Sequence, residues 1–351
     1  MNDTKRSIGG EFELNPAVFN DPPQLEYRYR FFSSGRDALR AILKVARKAG
    51  HSEIYIPCYI CQSVKNVIQS EGFEIHEYKL TFNLLIDASQ ALFMHRQQSL
   101  ILVVDYFGLL DLTDDIKKLH EHGATVILDK VQALFQEETF DADYWFSGFR
   151  KFLPTYEGAF AYSREEEIDP PRENCSWSLF KVLGGLIKYS CRYTHLVDKS
   201  YLQLFEMAEQ QLDDLSESNC ASQLICYTLE ALDISSIRRK RQQNYLILSE
   251  LLKERGMMPF VFSEVSDPAS PSLPIVIENR DKVRTHLMEE GIYLPIHWVS
   301  ESQSRLSSFA SRCELSLIID QRYRKEEMVR LVNALCEVKA TTIVYDYKSL
   351  E

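Results

Sequence analysis

The feature that most constrains this chain is a pair of short runs without polar alternation, Ser99-Leu-Ile-Leu-Val-Val104 and Ala124-Thr-Val-Ile-Leu128, separated by a stretch with helical spacing. A strand with one face in water alternates apolar and polar residues, whereas an unbroken apolar run needs cover on both faces. Helices alternating with the strands supply that cover. The pattern therefore predicts an α/β chain with a mainly parallel sheet between two layers of helices.

The neighbouring segments extend the alternation. Residues 1 to 32 show no sustained period and carry Pro16, Pro22 and Pro23, which reads as an extended arm. Ser33 or Ser34 can cap a helix with Leu39, Ile42, Leu43 and Ala46 on its apolar face, and Gly50 stops it. Glu53 to Pro57 reads as a strand, Val64, Val67 and Ile68 mark a helix ending before Gly72, and Phe73 to Leu80 reads as another strand. Thr113 is the expected cap of the helix through Ile116 and Leu119. Tyr144 to Ser147 and Gly158 to Tyr162 are two further β runs.

After residue 200 the period turns helical, with Leu202, Phe205, Leu212 and Leu215 in step and a second run from Ile237 to Gly256. Pro271 to Ile277 then reads as a strand, Asp281 to Glu290 as a helix closed by Gly291, and Arg324 to Val338 as an amphipathic helix. The expected organisation is a large α/β domain with its arm over 1–235 and a small C-terminal α+β domain over 236–351. At ~100–200 residues per domain, the 351 residues fit that division.

Charge and cysteine content exclude several functions. The net charge of −11 argues against wrapping nucleic acid. The start, Met1-Asn-Asp-Thr-Lys-Arg6, lacks an apolar signal core, and Leu100 to Leu110 is too short to span a bilayer, so no membrane role is expected. Eight scattered cysteines read as free thiols of a reducing compartment, and the expected location is cytoplasmic. Cys58-Tyr-Ile-Cys61 has redox-motif spacing but no second pair of ligands, so no metal site is expected.

Ligands of doubly wound sheets collect at the carboxyl ends of the strands, which directs attention to four places: Ser34 to Arg36, Pro57 to Cys61, Asp129 to Gln132 and Ser147 to Lys151. Ser34-Gly35-Arg36 opens a helix and offers N–H groups, a hydroxyl and a guanidinium to an anion; plain helix capping explains the same residues. Asp129 ends a buried strand, where its charge needs either a cationic ligand or a nearby Lys or Arg. Lys151 follows Trp145, Phe146 and Phe149, so its amine is either desolvated and activated or a solvated neighbour of Arg150. The usual glycine fingerprints of dinucleotide and P-loop phosphate sites are missing. His120 and His122 read as solvated residues at a helix C-terminus.

Taken in order, Ser34-Gly-Arg-Asp-Ala-Leu39, Tyr55-Ile-Pro-Cys-Tyr59, Val103-Val-Asp-Tyr-Phe-Gly108, Val126 to Ala133 and Phe146-Ser-Gly-Phe-Arg-Lys-Phe-Leu-Pro154 resemble the DegT/DnrJ/EryC1/StrS family of sugar aminotransferases. Arg238 to Tyr245, Gly291-Ile292, His297-Trp298 and Asp320 to Tyr323 are similar to that family's later landmarks. The resemblance covers most of the chain. It implies the aspartate-aminotransferase fold, fold type I, and a pyridoxal 5'-phosphate (PLP) cofactor.

By the same resemblance, Lys151 matches the Schiff-base lysine and Asp129 the acid that keeps the pyridine nitrogen protonated. Gln132 matches the side chain near the phenolic oxygen, and Ser34, Gly35, Arg36 and Ser147 match the phosphate cradle. Cys61 stands where many members place a ring that stacks on the pyridine. Asp105 stands for a frequent histidine, Lys130 for a small residue and Gly158-Ala159 for two glycines. The implied reaction moves an amino group from an amino acid, glutamate by family habit, to a nucleotide-linked keto-sugar, in a homodimer. Related outcomes are sugar dehydration, a non-sugar carbonyl substrate, or a cofactor-free binding relative. A dehydratase of the family replaces the lysine with histidine, and this chain keeps Lys151.

Overall fold

The computed structural model describes residues 8–9, 31–87, 99–136, 141–171, 176–194, 199–261, 268–300, 302 and 304–343. Most of the N-terminal arm lies outside these residues. The strand β1 (Ile8–Gly9) is described, and it pairs in parallel with residues 292–293, so this piece of the arm lies against the C-terminal part of the chain.

Helix α1 (Gly35–Lys48) starts where Ser34, in an extended conformation, accepts from the Asp37 N–H. It buries Ala38, Leu39, Ile42, Leu43 and Ala46, the face read from the sequence. There follow β2 (Glu53–Pro57), α2 (Gln62–Ser70), β3 (Glu74–Tyr78), β4 (Leu100–Val104), α3 (Thr113–Glu121), β5 (Thr125–Asp129), β6 (Tyr144–Gly148) and β7 (Ala159–Ser163). The six-stranded sheet runs β3-β2-β4-β5-β6-β7; every neighbouring pair is parallel except β6 with β7. Every residue of β4 is buried, as an unbroken apolar run requires.

Helices α4 (Trp177–Thr194), α5 (Ser200–Asp213), α6 (Gln223–Ala231) and α7 (Ile234–Glu254) follow. Beyond them, β8 (Ser272–Val276) pairs antiparallel with β10 (Glu314–Ile318), while α8 (Arg280–Glu289), β9 (Ile292–Tyr293), α9 (Arg305–Cys313) and α10 (Lys325–Glu337) complete the order. Among the described residues, no helix is long and apolar enough to cross a membrane.

Two sequence expectations need correction. Thr113 is the first residue of α3 and does not cap it; its hydroxyl donates to Asp111 Oδ1 at 2.6 Å. His120 is half-buried against Asp143, with Nε2 to Oδ2 at 2.9 Å, because that carboxylate also accepts the Val126 N–H that would otherwise be left open. Leu202 keeps helical step with Phe205 and Leu212 but is 52% exposed.

One buried side chain of α7 binds the C-terminal part to the sheet's edge. Arg241, fully buried, donates from Nη2 to the Lys151 and Phe152 carbonyls at 3.2 and 2.9 Å, from Nη1 to the Ser270 carbonyl at 3.1 Å and from Nε to Gln321 Oε1 at 3.0 Å. Removing it leaves several buried acceptors unpaired at about 1–3 kcal/mol each. Arg241→Met should therefore lower unfolding free energy by at least about 3 kcal/mol, measured as a lower urea midpoint at unchanged slope. A midpoint within error of wild type would show that these bonds are dispensable.

Candidate active site

The site forms where β5 and β6 end. Asp129, the last residue of β5, lies opposite Val104 on one side and Phe146 on the other. Its Oδ1 accepts the Val131 N–H at 2.9 Å. Burial lifts its pKa to about 6, against the Val131 N–H and the Lys151 charge, which both pull it down. Lys151 sits in the turn after β6. Burial pulls its amine below the ordinary lysine value, Asp129 and Cys61 push it back up, and the Arg150 charge lowers it. Lys151 is half-buried, and Arg150 turns away from it to Glu209 Oε1 at 2.9 Å.

Aromatic rings wall this pair. The Lys151 amine lies 5.8 Å from the centre of the Trp298 ring, which itself meets Tyr59 at 5.3 Å and Tyr106 at 5.9 Å. His297 packs edge-on to Phe107 at 5.8 Å and feels the Lys151 charge. Gln132, buried three residues after Asp129, accepts the Phe107 N–H on Oε1 at 3.1 Å. Its Nε2 is buried with no hydrogen-bond partner among the described residues, a donor awaiting an acceptor.

Cys61 precedes α2, with Sγ 3.1 Å from Ser63 Oγ, and is near enough to Lys151 to act on it electrostatically. Cys58, its partner in the Cys-x-x-Cys spacing, is buried and accepts from Ser304 Oγ at 3.1 Å; burial pushes its thiol pKa up. Both are free thiols. Lys130 points its amine elsewhere, to the Gln136 carbonyl at 2.7 Å and the Trp145 ring. Asp105, also fully buried, donates its N–H to the Asp129 carbonyl at 3.0 Å.

The expected phosphate cradle gathers at the start of α1, but its side chains already have partners. Ser34 Oγ donates to Asp37 Oδ2 at 2.5 Å, and Ser147 Oγ donates to the Lys130 carbonyl at 2.8 Å. Arg36 pairs with Asp213 and lies 3.9 Å from Glu209, both on α5. Burial would raise Glu209, but Arg150 and Lys181 override it and hold the carboxyl at about 2. What stays available to an anion is backbone, the Gly35 and Arg36 N–H groups at the positive end of the helix. A Cβ on Gly35 would come within 3.2 Å of Val131 Cγ2, a tight contact that the glycine avoids. Asn219 donates its N–H to Asp37 Oδ1 at 3.0 Å and so braces the same helix start.

Glu314 and Ser316, which the sequence reading passed over, hydrogen-bond to His297 and to each other: Ser316 Oγ lies 2.9 Å from His297 Nδ1 and 2.6 Å from Glu314 Oε1. The signal was present, since Glu314-Leu-Ser-Leu-Ile318 places an acid and a hydroxyl at alternate positions of an apolar run.

No protein-family model matches the sequence, and no curated protein is similar to it. Solved structures are similar in fold. A DegT DnrJ EryC1 StrS aminotransferase from Brucella abortus superposes with a TM-score of 0.63 at 14% identity over 89% of this chain and 86% of that one. The PLP form of the putative sugar aminotransferase Spr1654 from Streptococcus pneumoniae gives 0.64 at 13% identity over 94% and 93%. DesV from S. venezuelae gives 0.62 at 17% identity over 94% and 91%. The chain has the α/β fold of the DegT/DnrJ/EryC1/StrS aminotransferases, the aspartate-aminotransferase type.

Proposed function

We propose that this chain is a PLP-dependent aminotransferase that moves an amino group from an amino acid, glutamate first among donors, to a nucleotide-linked keto-sugar. One observation carries the reading: a half-buried lysine amine, 5.8 Å from the Trp298 ring, and a buried carboxylate that feels its charge share the carboxyl edge of the sheet. The residues fit the cofactor's chemistry. The Lys151 amine would tether it, Asp129 would pair with its ring nitrogen, and the open Nε2 of Gln132 would meet an oxygen. The Gly35 and Arg36 N–H groups would hold its phosphate, with Ser34 and Ser147 fixing the backbone around them. When bound, the cofactor supplies an electron sink for carbanion chemistry.

The protein's own contribution is to hold and move protons. Lys151, with its lowered pKa, is a base able to take a proton from a substrate carbon and return it to another. The Trp298, Tyr59 and Tyr106 rings keep water from the path. Cys61 borders the pocket as a small thiol in place of a flat ring.

The reading includes a homodimer, a cytoplasmic location and a domain boundary near residue 235. An exposed apolar face on α4 and α5, formed by Leu179, Leu183, Leu186, Leu202 and Met207, supports pairing of two copies.

Borohydride reduction of PLP-loaded protein should fix the cofactor on the peptide holding Lys151. A label on a different lysine would end the assignment. PLP affinity should fall as pH drops through about 6, because the protonated Asp129 carboxyl no longer pairs with a cationic ring nitrogen. Asp129→Asn should flatten that step and lower turnover about 100-fold or more. A retained step would point to a different group. Loaded protein given L-glutamate alone should release 2-oxoglutarate in an amount matching the protein, and failure with every common amino donor would favour dehydration or another outcome.

A further inference from the structure

Behind the Lys151 pocket, three polar side chains of the C-terminal part form a closed line. His297 Nδ1 and Ser316 Oγ are 2.9 Å apart, and Ser316 Oγ and Glu314 Oε1 are 2.6 Å apart. Glu314 Oε2 accepts the backbone N–H of His297 at 2.5 Å, so the line returns to its starting residue. Glu314 and Ser316 occupy alternate positions of β10 and are both fully buried.

The charged and titratable groups around Glu314 are few. Arg280 of α8 acts on it electrostatically, but its Nη1 and Nη2 donate to the Glu314 and Ser311 carbonyls at 2.9 and 2.8 Å and its Nε to Asp281 at 2.6 Å. Tyr59, after β2, is the other group that feels Glu314. Lys151, after β6, is the charge that His297 feels. Burial pushes Glu314 up to about 8 against the Ser316, His297 N–H and Arg280 contacts. Burial, with the Lys151 charge, holds His297 at about 3, so its imidazole is neutral through the working range and has only its tautomer left to vary.

We propose that Glu314, acting through the Ser316 hydroxyl, sets the tautomer of His297 and thereby decides whether the imidazole offers the Lys151 pocket an Nε2–H donor or a bare nitrogen. The Ser316 hydroxyl has one proton and gives it to one side at a time. While Glu314 keeps its own proton, the carboxyl donates to Ser316 Oγ, the hydroxyl donates to His297 Nδ1, and the imidazole carries its proton on Nε2. When Glu314 loses its proton to solvent, Ser316 donates to the carboxylate and Nδ1–H donates to Ser316. The imidazole proton then sits on Nδ1 and Nε2 is bare. One proton leaves the protein and one changes nitrogen.

Glu314 and Ser316 are positioning residues in this scheme. In the neutral range His297 is a donor and calls for an acceptor oxygen on the substrate, such as a carboxylate or hydroxyl; this step rests on the function proposed above. Above the Glu314 transition the same nitrogen repels that oxygen, and substrate KM should rise while the lysine tether is unaffected.

The test uses the full chain without cofactor, labelled on histidine and followed by imidazole nitrogen NMR, with His297 assigned by the signal lost in His297→Asn. Between about pH 6 and pH 10, wild type should convert from the Nε2–H to the Nδ1–H tautomer around the Glu314 transition. Glu314→Gln, whose amide oxygen is taken by the His297 N–H so that its NH2 faces Ser316, should hold Nε2–H throughout. Ser316→Ala should abolish the conversion, and unchanged signals from the other histidines report that both variants fold. A wild-type tautomer that never changes, or a conversion that survives in Glu314→Gln or Ser316→Ala, overturns the relay. Because no cofactor enters this measurement, its failure is distinct from a failure to label Lys151, which would instead remove the proposed function.

Discussion

Two ionisable side chains that feel each other's charge, the buried Asp129 and the half-buried Lys151, set the terms for everything at the carboxyl edge of the sheet. Burying a charge without a partner costs several kcal/mol, and a buried pair recovers that cost only with good geometry and further hydrogen bonds. Here burial drives both groups toward neutrality, the acid upward and the amine downward, while their mutual attraction resists. The pair is therefore poised, and a ligand that brings its own cation to Asp129 relieves the strain on both. The surroundings preserve this state. Arg241 fixes the Lys151 turn through backbone carbonyls, and the Trp298 ring, 5.8 Å from the amine, offers it a surface that tolerates a cation.

Much of this arrangement was legible in the sequence because it depends on local patterns. The run ending at Leu128 demanded a doubly covered strand, which placed Asp129 at the sheet's edge. Ser34 was recognisable as a cap because its hydroxyl meets the Asp37 N–H within one turn. Helix α4 was not legible. Gly184 and Gly185 lie inside it and weaken any helical reading, yet packing requires them, since a Cβ on Gly185 would strike the Tyr156 ring and one on Gly184 the Phe205 ring. The pairing of His120 with Asp143 and the exposure of Leu202 were equally hidden, because each depends on what the fold brings near.

The residues matched by family resemblance divide in the same way. Lys151, Asp129 and Gln132 keep open valence at the edge of the sheet: a half-buried amine, a carboxyl pushed toward neutrality and an amide donor without a partner among the described residues. Ser34, Arg36 and Ser147 gather as well, but their side chains have partners within the chain. Residue type at a position could not separate these two groups, because a serine that caps a helix and one that binds an anion look alike in sequence.

That distinction says how an anion is best held at this helix start. Asp37, fed by the hydroxyls of Ser33 and Ser34 and the Asn219 N–H, places a buried carboxylate beside the first turn of α1. A carboxylate there interacts favourably with the helix dipole and competes with an incoming anion for the same field. The competition is limited by geometry: the Asp37 carboxylate takes the Ser33 and Ser34 hydroxyls and the Asn219 N–H, and the first-turn amides of Gly35 and Arg36 are not among its donors. Gly35 keeps that approach open because it has no side chain to crowd Val131. Arg36 contributes from a distance, its charge already offset by Asp213 and Glu209, so the backbone carries the directional part of recognition. Such a site gains specificity from its rigidity more than from net charge, and the bonds that fix Ser34 and Ser147 to their neighbours are what make it rigid.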